Sequence, residues 1–288
     1  MSQGPGPGVL AQIACILEVS ARKPGNVHPG IGFDDATSLD FYLSAAAIAR
    51  PLDRAREVGV GAAVLEAVEA TRHVVATNTN LGMILLLAPL AAVPEGVGLR
   101  NGVAEILAAT TIEDARLVYR AIRLARPGGL GTVTDQDVAG EPSVTLRDAM
   151  RLAADRDLVA RQYAEDYVDV FDLALPALRA AIGEEQPLET AIVRSFLTVL
   201  SHRPDTLILR KCGPAVAAEA SRRAAVVLDA PDRLADLDAW LRADFHARNP
   251  GATADLVAAA LFVALADGTI PLPRPPGPGG WSGRGDGG

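Results

Sequence analysis

Apolar residues recur at three- and four-residue spacing along almost the whole chain, and sustained alternation flanked by hairpin turns is found nowhere. Val9, Leu10, Ile13, Ile16 and Leu17 mark a first helix. Phe41–Ile48 resumes the spacing until Pro51 ends or bends it, and 58–75 forms a third helix with Leu65, Val68 and Val75 on one stripe. Residues 81–93 are apolar on every side, too short for the roughly 20 residues of a membrane span, and read as a central core helix. Asn78 or Thr79 is placed to cap it. A fifth segment covers 99–107. Thr110-x-x-Glu113 reads as a capping box for a helix running to Ala125. A long helical stretch is expected from about 145 to 175, then helices from Pro187 to Leu200, over about 214–228, 232–245 and 254–266. No period repeats. The pattern predicts an all-α, single globular bundle of roughly ten helices, with polar loops collected at one end.

Gly/Pro-rich tails at 1–8 and 271–288 bracket that domain, 9–270, and cannot bury enough apolar area to order themselves. Hydrophobic residues are 49% of the 288-residue chain but aromatics only 4%, so the core is built from Ala, Leu and Val, which suit helices. The net charge of −8 argues against nucleic-acid binding, and no basic amphipathic stretch suits an anionic membrane. Cys15 and Cys212 read as isolated thiols of a reducing compartment. With no signal-peptide pattern, the expectation is a cytoplasmic protein. Pairing of two copies through an apolar helix face is compatible with this pattern.

Polar residues gather at helix boundaries in four clusters. The first, within 18–44, holds Lys23, Asn26, His28, Asp34, Asp35 and Asp40 on a long irregular connection of the kind used for binding. The second is Asn78-Thr79-Asn80 with Gly82, the third Arg210-Lys211, and the fourth Asn249 to Asp255 with Gly251. Helix N-termini can hold phosphate oxygens. Paired carboxylates such as Asp34 and Asp35 suit Mg²⁺ together with phosphate and water. Against this stand plainer readings: Asn78 and Thr79 as caps, Asp255 as a dipole-favoured first-turn residue, and Asp155-Arg156-Asp157 as a solvated face. His73 and His246 lack a partner at metal-ligand spacing, and the glycine-rich 127–131 loop follows no strand, so it is neither a Rossmann nor a Walker loop.

Three stretches resemble the triphosphoribosyl-dephospho-coenzyme A synthase family. Glu18-Val-Ser-Ala-Arg-Lys-Pro-Gly-Asn-Val27 is similar to its E-x(4)-KPG-x-V opening, Asn78-Thr-Asn-Leu-Gly82 to its NTHKG segment, and Asn249-Pro-Gly-Ala-Thr-Ala-Asp-Leu256 to its PGG-x-ADLL ending. They stand in family order over roughly 10–266. Asn80-Leu81 stand where the family reads His-Lys, Phe33-Asp34-Asp35 replace an expected His-x-Asp, and the Gly-Ala-Arg-x-Glu-Ala stretch is missing near 127–137.

The resemblance implies a helical enzyme that moves the triphosphoribosyl group of ATP to dephospho-CoA with release of adenine and Mg²⁺ as the accompanying ion. It places Asp34, Asp35, Asp40 and His28 in catalysis, with Asp34 and Asp35 on the metal. Lys23, Arg210 and Lys211 would meet phosphate, and Asn26, Asn78, Thr79, Asn80, Asn249, Gly251 and Asp255 the nucleotide. The alternatives are a related enzyme of one-carbon carrier (tetrahydromethanopterin) synthesis, a Mg-dependent ribosyl-phosphate hydrolase and a non-catalytic nucleotide-binding protein.

Overall fold

A computed structural model describes residues 4–126 and 137–273. Among them the chain forms fifteen α-helices and no strand beyond two isolated bridges. The order begins with α1 (Pro7–Ser20), α2 (Ser38–Asp53), α3 (Ala55–Val58), α4 (Val60–Val74) and α5 (Leu81–Ala92). It continues through α6 (Leu99–Ala108), α7 (Ile112–Ala125), α8 (Leu146–Arg151), α9 (Leu158–Ala164) and α10 (Leu175–Gly183). The last five are α11 (Leu188–His202), α12 (Thr206–Cys212), α13 (Pro214–Asp229), α14 (Leu234–Arg242) and α15 (Gly251–Ala266). No helix among the described residues is long and apolar enough to cross a membrane.

The all-α reading holds, but the bundle has more pieces than the roughly ten expected. The stretch 145–175, read as one helix, is cut twice. Asp157 caps α9 by accepting from the amides of Val159 and Ala160 at 2.9 and 3.1 Å, which closes α8 off, so Asp157 is no solvated face. Asp166 and Tyr167 then both take positive φ, and a π turn at Val170–Ala174 leads into α10. The capping box of α7 lies one residue later than expected: Thr111 receives the amide of Asp114, and Asp114 accepts from Thr111 in return. Asp114 also takes the amide of Gly61 at 2.8 Å, so the same carboxylate joins α7 to α4. Pro51 lies within α2 rather than ending it, and α1 begins at Pro7, inside the expected tail. The 127–136 part of the second polar loop, including the glycine run, and the 274–288 tail lie outside the described residues.

Two helices apolar on all sides, α5 and α15, are the centre. Every residue of α5 except Gly82 is buried, and in α15 burial runs from Ala252 to Leu265 with Asp255 as the one interruption. They pack on each other and on α1, and α15 also meets α9, α10, α11 and α12. Burial this complete leaves no water to satisfy a stray backbone group. Pro89 inside α5 has no N–H, so the carbonyl of Leu85 loses its helical donor. The Tyr163 hydroxyl donates to that carbonyl at 2.6 Å, and Tyr167 donates to Leu86 at 2.7 Å. These fully buried tyrosines are therefore held for their hydroxyls as much as for their rings.

Replacing Tyr163→Phe leaves the Leu85 carbonyl unpaired and is expected to cost about 1–3 kcal/mol in urea denaturation. Because Pro89→Ala restores the helical donor, the same hydroxyl deletion should cost markedly less in that background.

Candidate active site

The three resembling stretches, far apart in sequence, meet where the end of α1 faces the first turns of α5 and α15. Asn26 donates its amide to Asn249 Oδ1 at 2.6 Å, joining the first stretch to the third. Gly82 joins the second to the third, since a Cβ built on it would lie 1.9 Å from Asp255 Oδ2. No larger residue than glycine lets the carboxyl of α15 lie against the backbone of α5. Glu18 and Lys23 form an ion pair at 2.9 Å within the buried interior.

The lysine corrects one expectation. Its ammonium also donates to the carbonyls of Ala21, at 3.1 Å, and Glu18, which uses its three protons internally. Lys23 thus holds Glu18 in this structure rather than standing ready for a phosphate. Asp40 is corrected likewise: Oδ2 accepts from the Thr37 amide and hydroxyl, both at 2.7 Å, as the capping box of α2. Those hydrogen bonds hold its carboxyl below the ordinary value, so it starts the helix and is not set apart as a base.

Asp34 and Asp35 are exposed on the double turn bridged at His28–Ile31 and Phe33–Ala36. Asp35 lies 3.4 Å from His246 Nδ1. Among the described residues no group of three His, Cys, Asp or Glu side chains could cage a metal. Two carboxylates are still an adequate donor set for Mg²⁺ when phosphate and water complete its shell. Desolvation, then Arg242, lowers the pKa of His28, so it is neutral near pH 7. Its Nδ1 receives the Gly30 amide at 3.1 Å, which leaves the proton on Nε2.

In the second cluster, Asn78 accepts the Leu81 amide at 3.2 Å from outside α5, whose N-cap position is Asn80 rather than Asn78 or Thr79. Thr79 meets the Ser44 hydroxyl at 2.5 Å. Asn80 is buried, its amide 3.4 Å from Thr71, and its Oδ1 has no partner. In the third, Arg210 pairs with Asp157 at 2.7 Å and Lys211 is exposed. Gly251 opens α15.

Asp255 is the most perturbed carboxyl of the cluster. Burial raises its pKa well above the ordinary value, and the neighbouring Glu18, Asp205 and Asp157 raise it further, while Arg210 opposes them. Burial also raises Glu18, but Lys23 pulls it back toward the carboxylate. The two carboxyls are thus raised unequally, because Lys23 opposes the shift only at Glu18. The thiol of Cys15, buried beside them, is raised for the same reasons.

Several contributors escaped sequence reading. Glu18 is a charge inside an apolar stripe, which was its signal. Asp205 is buried, takes the amides of Leu207 and Ile208 and, through Oδ2, both the amide and hydroxyl of Thr253 at 2.7 and 2.8 Å. It ties α12 to the first turn of α15. Asp238 accepts the Gly25 amide at 2.7 Å and Arg242 donates to the Asn26 carbonyl at 2.6 Å, so α14 clamps the Lys23–Asn26 turn. Only tertiary contact exposes these roles. Glu18, Asn26, Asn249, Gly251 and Phe41 help enclose a cavity of about 50 Å³. That admits water but not a nucleotide, whose pockets measure about 300–1,000 Å³.

Lys23→Met should destabilise the protein by about 3–5 kcal/mol in urea, because it strands a buried carboxylate, and Glu18→Gln in the same chain should recover part of the loss. For Asp255 the sign is the reverse. A carboxyl with a raised folded-state pKa binds more protons folded than unfolded, so stability is lost as pH rises from about 4, the unfolded value, through the folded one. Asp255→Asn should accordingly melt above wild type at pH 7–8, with the gain vanishing as pH approaches 4.

A sequence model of the CitG family, ATP:dephospho-CoA triphosphoribosyl transferase, matches residues 6–272. Among solved structures, a protein of Archaeoglobus fulgidus assigned as a triphosphoribosyl-dephospho-coA synthase is similar, with a TM-score of 0.63 and 26% identity. The match covers 78% of this chain and 98% of that one. No curated protein matches the chain in sequence.

Proposed function

The chain belongs to the ATP:dephospho-CoA triphosphoribosyl transferase family, and on that premise we propose that the cluster at the heads of α5 and α15 is where the transfer takes place. One observation carries this placement: the three family-like stretches converge there, with Asn26 on Asn249 and Gly82 against Asp255. The family match favours this reaction over the one-carbon-carrier, hydrolase and non-catalytic alternatives.

The reaction is a substitution at the anomeric carbon of ATP. The bond to adenine N9 breaks, a bond to the acceptor hydroxyl oxygen forms, and the hydroxyl proton is balanced by the proton that adenine gains. Such a centre passes through an oxocarbenium-like state, which needs a proton donor for the leaving group and a carboxylate near the developing positive charge. Asp255, whose pKa burial raises well above the ordinary carboxylate value, is assigned as the donor to adenine. Glu18, ion-paired with Lys23, is assigned to stabilise the anomeric carbon. Asn26 and Asn249 would then orient the ribose, and Arg210 would attract the triphosphate while restraining Asp157.

Magnesium, when bound with the triphosphate, would offset part of its charge. Asp34 and Asp35 are the exposed carboxylates that would hold it, on a turn next to the cluster through His246. Positioning both substrates in this way replaces a bimolecular encounter and supplies much of the acceleration.

Chromatography of Mg-ATP reactions tests the proposal. Adenine should appear only when dephospho-CoA is present, and Asp255→Asn should lower kcat by about 10²–10⁴-fold, the scale of a lost general acid. ATP binding without adenine release in either mixture would sink the assignment. An Asp34→Asn enzyme should need more Mg-ATP for half-maximal rate.

A further inference from the structure

Residues 243–248 link α14 to Asn249, and the fold pins this turn at nearly every position except one. Arg242 holds Asp238 and the Asn26 carbonyl before it. Arg248 donates to the Trp240 carbonyl and stacks its guanidinium 4.7 Å from the Trp240 ring after it. His246 meets the ring of Phe33 edge-on at 5.1 Å and lies 3.4 Å from Asp35, so the turn faces the loop bearing Asp34 and Asp35. The Ala247 amide bonds to Asp244 and its carbonyl receives the Cys212 thiol.

Phe245 does the opposite. It is 84% exposed, far more than any other large apolar side chain described, and its backbone sits at φ +49°, a region bulky residues avoid. A flat apolar ring left in water on a strained backbone gains nothing for folding. Strain of this kind persists where the surroundings impose it, and it gathers at ligand-binding segments. Phe245 stands between the metal-facing loop, through His246, and the Asn249 stretch of the site.

We propose that Phe245 is the platform on which an adenine ring of a substrate stacks. The inference rests on the functional reading above, in which both ATP and dephospho-CoA carry adenine. A ring offered face-free to solvent suits a purine, which stacks without needing any further hydrogen bond. Phe245 thereby adds affinity for the base while the polar cluster performs the transfer.

The test is the pair of Michaelis constants for Phe245→Ala. Removing the ring should raise KM about 10-fold or more, with kcat nearly unchanged, for the substrate whose base it holds. A rise confined to ATP identifies the departing adenine, and a rise confined to dephospho-CoA identifies the acceptor's. Phe245→Tyr should keep wild-type constants and Phe245→Leu should not. Phe245→Gly relieves the positive φ, so it should melt at or above the wild-type temperature while showing the same KM defect. Both constants within twofold of wild type in Phe245→Ala would overturn the proposal, as would a fall in melting temperature with kcat lost and KM unchanged. If the wild-type enzyme releases no adenine, the functional reading fails by itself, and stacking is still decided by fluorescence. Phe245→Trp titrated with AMP should quench saturably beyond the wild-type background, whereas ribose 5-phosphate should not. Equal responses to the two would overturn it.

Discussion

Everything at the centre of this protein follows from the approach of Gly82 to Asp255. Two helices without a polar face, α5 and α15, can be covered only by surrounding them, and they cross with their first turns together. A carboxyl on the second turn of α15 then rests against the other helix. Glycine supplies the room. Burial raises the pKa of Asp255, and the buried Glu18 is paired with a buried cation, Lys23.

The surrounding helices hold this arrangement through buried polar contacts. Asp205 fixes the first turn of α15 with two hydrogen bonds to Thr253 and caps α12 with the same side chain. The Tyr163 hydroxyl completes α5 where Pro89 interrupts it. Behind them, buried Asp169 is held by Arg161 and Arg203 at 3.1 and 2.9 Å and by Gln162 at 2.9 Å, which locks the irregular 162–170 segment. Each replaces a backbone or charge partner that water would otherwise provide. On the outer side, α14 clamps the Lys23–Asn26 turn and leads into the strained turn at Phe245, so the cavity is walled by α1, α2, α5 and α15 together with the loop residues Asn26, Val27 and Asn249.

The residues carrying the family likeness were legible because motif spacing survives in sequence, while their duties were not. Lys23 reads as a phosphate ligand in a polar loop, yet the fold turns it inward onto Glu18. Asp40 reads as a metal or base candidate, but it lies three residues after Thr37 and closes a cap, a local alternative the spacing also permitted. The same ambiguity displaced the α7 box by one residue, since Thr110 and Thr111 are adjacent and each is followed three places later by an acid.

Helical periodicity, the Ala- and Leu-rich composition and two all-apolar segments determined by themselves that this chain is an all-α bundle, because the 3.6-residue repeat and complete burial are local and additive signals. Tertiary structure alone decided which charges face each other, which carboxyl burial shifts furthest, and where the 145–175 stretch breaks. Those outcomes depend on desolvation and on partners 40 to more than 200 residues away, such as Thr253 for Asp205 and Asn249 for Asn26, and no local pattern encodes such distances.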